Sequence, residues 1–288
     1  MSTQILIPLD GSESTHEVLY YTHSIASSRP GAKITLLHVL AEDDELASAD
    51  AQGHQHLKPL ADLLSAKGWQ VDSLLRQGDP VQAITTLARE IPASLIVMST
   101  HGRSGLERIR DGSVTEGVLR DSICPVFVLH SQRHEPQDRR SEKLFQRLLV
   151  PLDGTDESAA ILPCVQTFAK AHDAEVVLFH DSPVSTGSTD EAQGAELTRI
   201  RTMMDEHSVK LANAGLTVRV DSTSHRHPIR EILNKIDTLG IDLVVMATHT
   251  QPELRHALQE SVTADVVRHA NCPLMVWSAA HCGEVSGL

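Results

Sequence analysis

The sequence lacks any long apolar run, and this absence restricts where the protein resides. No window of its 288 residues approaches the roughly 18 consecutive apolar residues that a membrane-spanning helix needs. The first ten residues (MSTQILIPLD) contain no basic segment and only a short apolar stretch, unlike a secretory signal peptide. We therefore expect a cytoplasmic protein without membrane insertion.

Positive charge is also scarce. The chain has 25 Lys and Arg against 38 Asp and Glu, a formal net charge of -13. Such an acidic surface repels nucleic acid and anionic membranes, so neither is expected as a partner. An anionic ligand would need a local positive site that overrides this overall field.

Paired cysteines and two well-known catalytic motifs are missing as well. Of the four cysteines (Cys124, Cys164, Cys272 and Cys282), no two form a CxxC pair, which favours reduced, buried thiols in a reducing compartment. The chain contains neither GxxxxGK[ST] nor HExxH. Without a P-loop lysine, fast phosphoryl transfer of that type is not expected. We assign no catalytic residue, and any phosphoryl transfer should be slow.

An internal repeat organises the chain. Residues 4–12 (QILIPLDGS) return as 147–155 (RLLVPLDGT), 95–101 (LIVMSTH) as 243–249 (LVVMATH), and 122–128 (SICPVFV) as 270–276 (ANCPLMV). This pattern indicates a duplicated domain rather than a short repeat array. The polar segment between the copies resembles a linker. We predict a first domain over residues 1–132, a linker over 133–143 and a second domain over 144–288.

Within each copy, short apolar runs alternate with amphipathic stretches. The predicted strands are 4–9, 33–40, 69–76, 94–99 and 125–130 in the first copy, and 147–152, 174–181, 216–223, 241–247 and 273–278 in the second. Helical patterns cover 13–28, 81–90, 113–121 and 191–213. Strands rich in Ile, Val and Leu on both faces, joined by helices, predict an α/β fold with a doubly wound parallel sheet of five strands per copy. Ligands of such sheets bind beyond the carboxyl ends of the strands.

One segment of the first copy has the composition of a phosphate site. After the strand that ends near Ser99, a loop contains Gly102 and Arg103, and Gly112 and Ser113 open the next helix. Glycine lets a backbone approach a phosphate closely, and the free N–H groups of a helix start favour an anion. Plain turn glycines would account for the same residues without a ligand.

On these residues and the full-length repeat, the chain resembles the universal stress protein family, as a tandem of two domains. The family's nucleotide signature is Gly-x2-Gly-x9-Gly-Ser/Thr, and the first copy matches it at Gly102, Gly112 and Ser113 but has Ser99 at its first position. The resemblance implies flavodoxin-like, adenine-nucleotide-binding domains that pack as a pseudo-dimer, with a homodimer of the chain left open. It implies ATP, or AMP, with Mg2+ as ligand. The nucleotide-binding residues would be Pro8, Asp10, Val39, Met98, Ser99, His101, Gly102, Arg103, Gly112, Ser113, Val114 and Thr115.

The resemblance implies different roles for different residues of this nucleotide-binding set. Asp10 and Val39 would shape the adenosine pocket, and the phosphates would lie over the two glycines, Ser113 and the amides after it. Arg103 is a candidate phosphate partner. Asp10 has a structural alternative, because an aspartate at this place also caps a helix or holds a loop.

The second copy has lost the signature. The same register reads Ala247, Thr250 and Glu260, followed by Ser261. A glutamate at a helix N-terminus places its carboxylate where a phosphate would lie and stabilises that end by roughly 0.3–1 kcal/mol. We therefore predict that the second copy does not bind ATP in the family's usual way, although Asp153 leaves room for another ligand.

Histidines suggest a metal site of lower priority. His225 and His227 have the i, i+2 spacing of metal ligands and replace Gln77 and Asp79 of the first copy. Zinc usually takes three or four protein ligands, so an exposed polar loop explains two histidines better than a metal site does. His38 and His180 recur at strand ends, where packing explains them better than catalysis.

Three functions follow for the whole chain. The first is ATP binding in the first copy for stress adaptation, with an unidentified protein partner and a structural or regulatory second copy. The second is a scaffold or small-molecule carrier that works without nucleotide, which Ser99 and the altered second copy favour. The third is a slow ATPase.

Overall fold

The computed structural model describes residues 3–10, 15–42, 46–100, 113–129, 144–182, 190–224, 227–248 and 262–278. These residues fall into two compact units, unit 1 within 3–129 and unit 2 within 144–278. The predicted linker lies outside the described residues, so its bounds stay a prediction. None of the helices in these ranges is both long and apolar enough to cross a membrane.

Unit 1 alternates strands and helices throughout. Its strands are β1 (Gln4–Pro8), β2 (Lys33–Leu40), β3 (Gln70–Gln77), β4 (Leu95–Ser99) and β5 (Val126–Leu129). Its helices are α1 (Thr15–Ser27), α2 (Leu46–Ala66), α3 (Pro80–Glu90) and α4 (Ser113–Asp121). The strands run parallel in the order β3-β2-β1-β4-β5.

Unit 2 repeats this arrangement. Its strands are β6 (Arg147–Pro151), β7 (Glu175–Asp181), β8 (Val218–Thr223), β9 (Leu243–Thr248) and β10 (Leu274–Ser278). Its helices are α5 (Asp156–Ala159), α6 (Leu162–His172), α7 (Asp190–Asn213), α8 (Pro228–Leu239) and α9 (Val262–His269). The parallel order is β8-β7-β6-β9-β10.

The predicted doubly wound parallel sheet of five strands is confirmed in both units. Every predicted strand lies within two residues of an observed one at each end. In chain order the sheet runs 3-2-1-4-5, so the winding reverses between the first and fourth strands, whereas a flavodoxin sheet runs 2-1-3-4-5. The ligand-binding crevice of such a sheet lies at this reversal.

Burial explains why the strands read as continuous apolar runs. The inner residues of β1, β4, β6 and β9 are Ile, Leu, Val and Met with both sheet faces covered by helices. The outer strands β3 and β8 are more exposed and more polar. The sheet interior therefore forms the core of each unit and leaves the strand ends at the surface.

Local signals define several helix starts. The Asp79 carboxylate accepts a hydrogen bond from the Gln82 amide at 2.8 Å, and Pro80 occupies the first turn of α3, as the Asp-Pro sequence predicts. The first helical region of unit 2 differs from α1 because it is split into α5 and α6. Thr155 caps α5, and Pro163 sits in the first turn of α6, where its missing N–H costs nothing.

Candidate functional site

Three strand ends of unit 1 reach the same edge of the sheet. Pro8 of β1 is paired with Leu37 of β2, so the register carries Asp10 level with Val39. On the other side Leu6 is paired with Ile96 of β4, which carries Pro8 level with Met98. Because β1 lies between β2 and β4, this edge is the reversal point of the sheet.

The residues predicted at these strand ends differ in exposure. Asp10 is exposed, Pro8, Val39 and Ser99 are half-buried, and Met98 is buried. Asp10 and Val39 therefore present accessible atoms at the crevice, whereas Met98 contributes mainly to the core beneath it.

A histidine fixes the backbone just before Asp10. The Nδ1 atom of His38 lies 2.7 Å from the Leu9 carbonyl oxygen. A carbonyl oxygen can only accept, so Nδ1 carries the proton. His180 makes the same 2.7 Å bond to Leu152 in unit 2. The two histidines thus act in packing and loop positioning, as their recurrence predicted.

The adenosine side of the predicted site opens into a cavity. It has a volume of about 490 Å³ and is lined by Val39, Leu40, Ala41, Glu42, Gly78, Asp79 and Pro80. The Gly78 backbone turns here with φ of +123°, a conformation that side chains disfavour, and its amide donates to the Leu40 carbonyl at 3.0 Å. The Asp79 cap and the start of α3 follow this turn directly.

The phosphate side of the predicted site begins at α4. Ser113 is the first residue of this helix, and the N–H groups of its first turn have no acceptor within the helix. Val114 is half-buried and Thr115 is buried. His101, Gly102, Arg103 and Gly112 lie outside the described residues.

Glu17 is a titratable group in the first turn of α1. Partial burial raises its pKa from 4.5 to about 7. The folded protein therefore holds this proton more tightly than the unfolded chain. The resulting contribution to stability is fully present below pH 4.5 and is lost as the pH rises through 7.

Replacing Glu17 with glutamine should remove this pH dependence. We expect the free energy of unfolding to rise by about 1–2 kcal/mol at pH 8 and to change little at pH 4.5, after a discount for partial solvent exposure. Trp69 reports the unfolding of unit 1, because its Nε1 atom donates to His23 of α1 at 3.2 Å. Urea titrations in a Trp277→Phe background measure the free energy of unfolding at both pH values. An equal rise in this free energy at both would contradict the raised pKa of Glu17.

The corresponding edge of unit 2 is arranged differently. The Asp153 carboxylate accepts from the Thr155 amide at 2.9 Å and from the Thr155 hydroxyl at 2.6 Å. Helix α7 reaches this loop, where the Arg199 guanidinium donates to the Gly154 carbonyl at 3.2 Å. A Cβ added to Gly154 would lie 3.2 Å from Ile200. In unit 2 this aspartate holds the loop, which is the structural alternative considered for Asp10.

Unit 2 also has a carboxylate where unit 1 has Val39. Asp181 ends β7 at the corresponding position, and its oxygens accept from the Thr223 hydroxyl at 2.9 Å and the His227 amide at 3.0 Å. The carboxylate therefore ties β7 to β8 and to the start of α8. The repeat itself contained this signal, because LLHV of β2 corresponds to LFHD of β7, but the sequence analysis did not use it.

The predicted zinc ligands are only partly described. His227 is exposed and precedes α8, and its side chain does not cap that helix. His225 lies outside the described residues. Among the residues that are described, no three His, Cys, Asp or Glu side chains are grouped so that they could hold a metal ion.

Comparison with known proteins identifies the family. The family model described as "Universal stress protein family" matches residues 1–130 and 144–277. The chain belongs to the universal stress protein family. Because the model matches twice, this universal stress protein contains two family domains in tandem.

Single-domain relatives support the same division. A universal stress protein of Methanocaldococcus jannaschii is 32% identical over 144 residues, which are 46% of this chain and 84% of that protein. One of Bacillus subtilis is 26% identical over 148 residues, which are 45% of this chain and 99% of that protein. Each relative thus matches about half of this universal stress protein.

Solved structures show the same fold over nearly the whole chain. The crystal structure of a universal stress protein from Archaeoglobus fulgidus has a TM-score of 0.77 at 22% identity and covers 96% of this chain and 97% of its own. A putative universal stress protein from Pseudomonas aeruginosa has a TM-score of 0.69 at 16% identity. The match covers 99% of this chain and 97% of that protein's chain. At these identities the likeness concerns the fold alone.

Proposed function

We propose that this universal stress protein binds ATP in unit 1 and uses the bound nucleotide in stress adaptation. The observation that carries the proposal is the convergence of the crevice at β1, the cavity beside Val39 and the start of α4 on one edge of unit 1. This edge is where doubly wound sheets bind nucleotides. The family signature at Gly102, Gly112 and Ser113 supports the same location.

The adenosine would occupy the cavity between β2 and α3. Val39 offers an apolar wall, and Asp10, exposed at the end of β1, offers carboxylate oxygens to ribose hydroxyls. The phosphates would lie at the N-terminus of α4, where amides that have no acceptor within the helix and the helix dipole favour an anion. Arg103 would add local positive charge in a chain whose net charge is -13.

Magnesium would enter with the phosphates. Among the described residues no cluster of carboxylates or histidines is suited to a dedicated metal cage. Mg2+ bound to ATP commonly keeps several waters and takes few protein ligands, so binding of Mg2+ with ATP does not require a dedicated cage. AMP would bind more weakly than ATP, because it lacks the phosphates that reach furthest along α4.

Unit 2 would have a structural or regulatory role, or bind another ligand. The Asp181 carboxylate at the adenosine side and Glu260 in the signature register both disfavour ATP there. Zinc at His225 and His227 stays a prediction for this unit, and the metal content of the purified protein and of the His225→Ala/His227→Ala variant would test it. The same proposal includes a cytoplasmic location, a protein partner whose binding depends on the nucleotide state, and assembly as a pseudo-dimer or homodimer.

Titration calorimetry of ATP into the purified protein tests the proposal. We expect one saturable ATP site per chain, with AMP bound at least about tenfold more weakly because each lost phosphate contact removes on the order of 1–2 kcal/mol. The absence of ATP binding would overturn the proposal and favour the scaffold or carrier. Turnover of the bound ATP, measured as released phosphate, would instead identify the slow ATPase.

A further inference from the structure

The two helices that border the proposed nucleotide site make an unusually close contact. Gly117 of α4 is buried and faces Val81 of α3. A Cβ added to Gly117 would lie 2.7 Å from Cγ2 of Val81, 3.0 Å from Cγ1 and 3.4 Å from its Cβ. Carbon atoms in packed proteins approach to about 3.5–4.0 Å, so the observed spacing of α3 and α4 requires glycine at this position.

Rotation of Val81 does not make room for a larger residue. Both of its methyl groups face Gly117. A rotation about χ1 to another staggered rotamer replaces one of these two methyl groups with the hydrogen on Cβ. The other position facing Gly117 is still occupied by a methyl group. Valine in a helix also has one strongly preferred χ1 rotamer. Any side chain at position 117 must therefore push α4 away from α3.

The two residues of this contact lie close in sequence to the two halves of the proposed site. Val81 follows Asp79 and Pro80, which line the adenosine cavity. Gly117 is four residues after Ser113, hence about 6 Å along the helix from the amides that would bind phosphate. A shift of α4 relative to α3 thus changes the distance between the adenosine pocket and the phosphate site.

Unit 2 does not have this arrangement. Ile229 and Asp265 occupy the corresponding positions, as the alignment of residues 80–81 with 228–229 and of 113–121 with 261–269 indicates. Asp265 has a side chain, which pairs with Arg268 at 3.0 Å. The glycine contact therefore belongs to the unit that retains the nucleotide signature.

We propose that Gly117 is a positioning residue for nucleotide binding: by letting α4 pack against Val81, it sets the spacing between the adenosine pocket and the phosphate-binding amides. The proposal rests on ATP binding by unit 1. It goes beyond the signature glycines, because Gly117 contacts Val81 rather than the ligand.

The test is a cycle of four proteins: wild type, Gly117→Ala, Val81→Ala and the double variant. We expect Gly117→Ala to weaken ATP binding by about tenfold, because a displacement of a fraction of an ångström misplaces the amides relative to the bound adenosine. The double variant should return to within about threefold of wild type, since alanine at 81 removes both methyls. Gly194→Ala on exposed α7, where an added Cβ has nothing within 4 Å, is the matched control and should bind as wild type does.

Urea unfolding followed by Trp69 fluorescence separates positioning from a purely structural role. Alanine favours a helix more than glycine does, so α4 itself should stay formed. An unchanged dissociation constant for ATP in Gly117→Ala would overturn the inference. A double variant that binds ATP no more tightly than Gly117→Ala would overturn it as well. Should Gly117→Ala not fold, Val81→Ile adds one methyl at the same contact and should weaken ATP binding about threefold; unchanged affinity would overturn the inference there too.

Failure of the inference and failure of the proposed function give different results. A wild-type protein that does not bind ATP removes the proposed function, and the inference with it. A wild-type protein that binds ATP beside a Gly117→Ala variant of equal affinity removes the inference alone.

Discussion

Replacing Gly112 with glutamate is expected to abolish ATP binding by unit 1. The substitution places a carboxylate immediately before Ser113, the first residue of α4. The carboxylate would accept hydrogen bonds from the amides of the helix start and repel the phosphates. The sequence of unit 2 has the same order of residues, with Glu260 before Ser261. We expect the dissociation constant for ATP to rise by at least about 100-fold, equivalent to about 2.7 kcal/mol.

A matched control separates the local effect from the added charge. Gly194→Glu introduces the same side chain on exposed α7, where an added Cβ meets nothing within 4 Å. This control should bind ATP as the wild type does. Titration calorimetry of the three proteins, with far-ultraviolet circular dichroism to verify folding, makes the measurement. Retention of wild-type affinity in a folded Gly112→Glu variant would place the phosphates elsewhere.

Replacing Asp242 with alanine is expected to destabilise unit 2 by about 2–3 kcal/mol. The Asp242 carboxylate accepts from the Gln146 amide at 2.7 Å and the Arg147 amide at 3.1 Å, and the Asp242 amide donates to the Arg147 carbonyl at 3.2 Å. These bonds join the starts of β6 and β9, the two strands that flank the reversal of the sheet. Alanine would leave two backbone donors without their acceptor, one of them half-buried.

Unit 1 provides the control for this prediction. Ser94 corresponds to Asp242, and its hydroxyl accepts from the Gln4 amide at a long 3.4 Å. Ser94→Ala should therefore cost less than about 1 kcal/mol. Each unit has one tryptophan, Trp69 in unit 1 and Trp277 in unit 2, so urea unfolding of single-tryptophan variants measures each unit. Equal losses for the two substitutions would contradict the role assigned to the carboxylate.

Much of the fold could be predicted because local signals and the tertiary environment agree. The central strands are apolar over most of their length because both of their faces are covered. Every strand could be predicted to within two residues at each end. The Asp79-Pro80 start of α3 depends on capping chemistry that a few consecutive residues supply. The duplication doubled the evidence for each element.

Other features could not be predicted from one sequence. Helix α2 contains a proline, Pro59, and no helical pattern was predicted for this part of the chain. The break between α5 and α6 has no counterpart in α1. Asp181 was visible in the repeat, but its bonds to Thr223 and His227 depend on the pairing of β7 with β8.

The sequence by itself determined the family, the duplication, the position of nearly every strand and the loss of the phosphate signature in the second copy. These properties follow from residue type, spacing and period, which a single chain displays directly. Only the tertiary structure decided which strand ends share an edge, how a carboxylate bridges the pocket edge of unit 2, and how closely Gly117 approaches Val81. Such contacts join residues distant in sequence, and their distances depend on how helices and strands pack rather than on any local pattern.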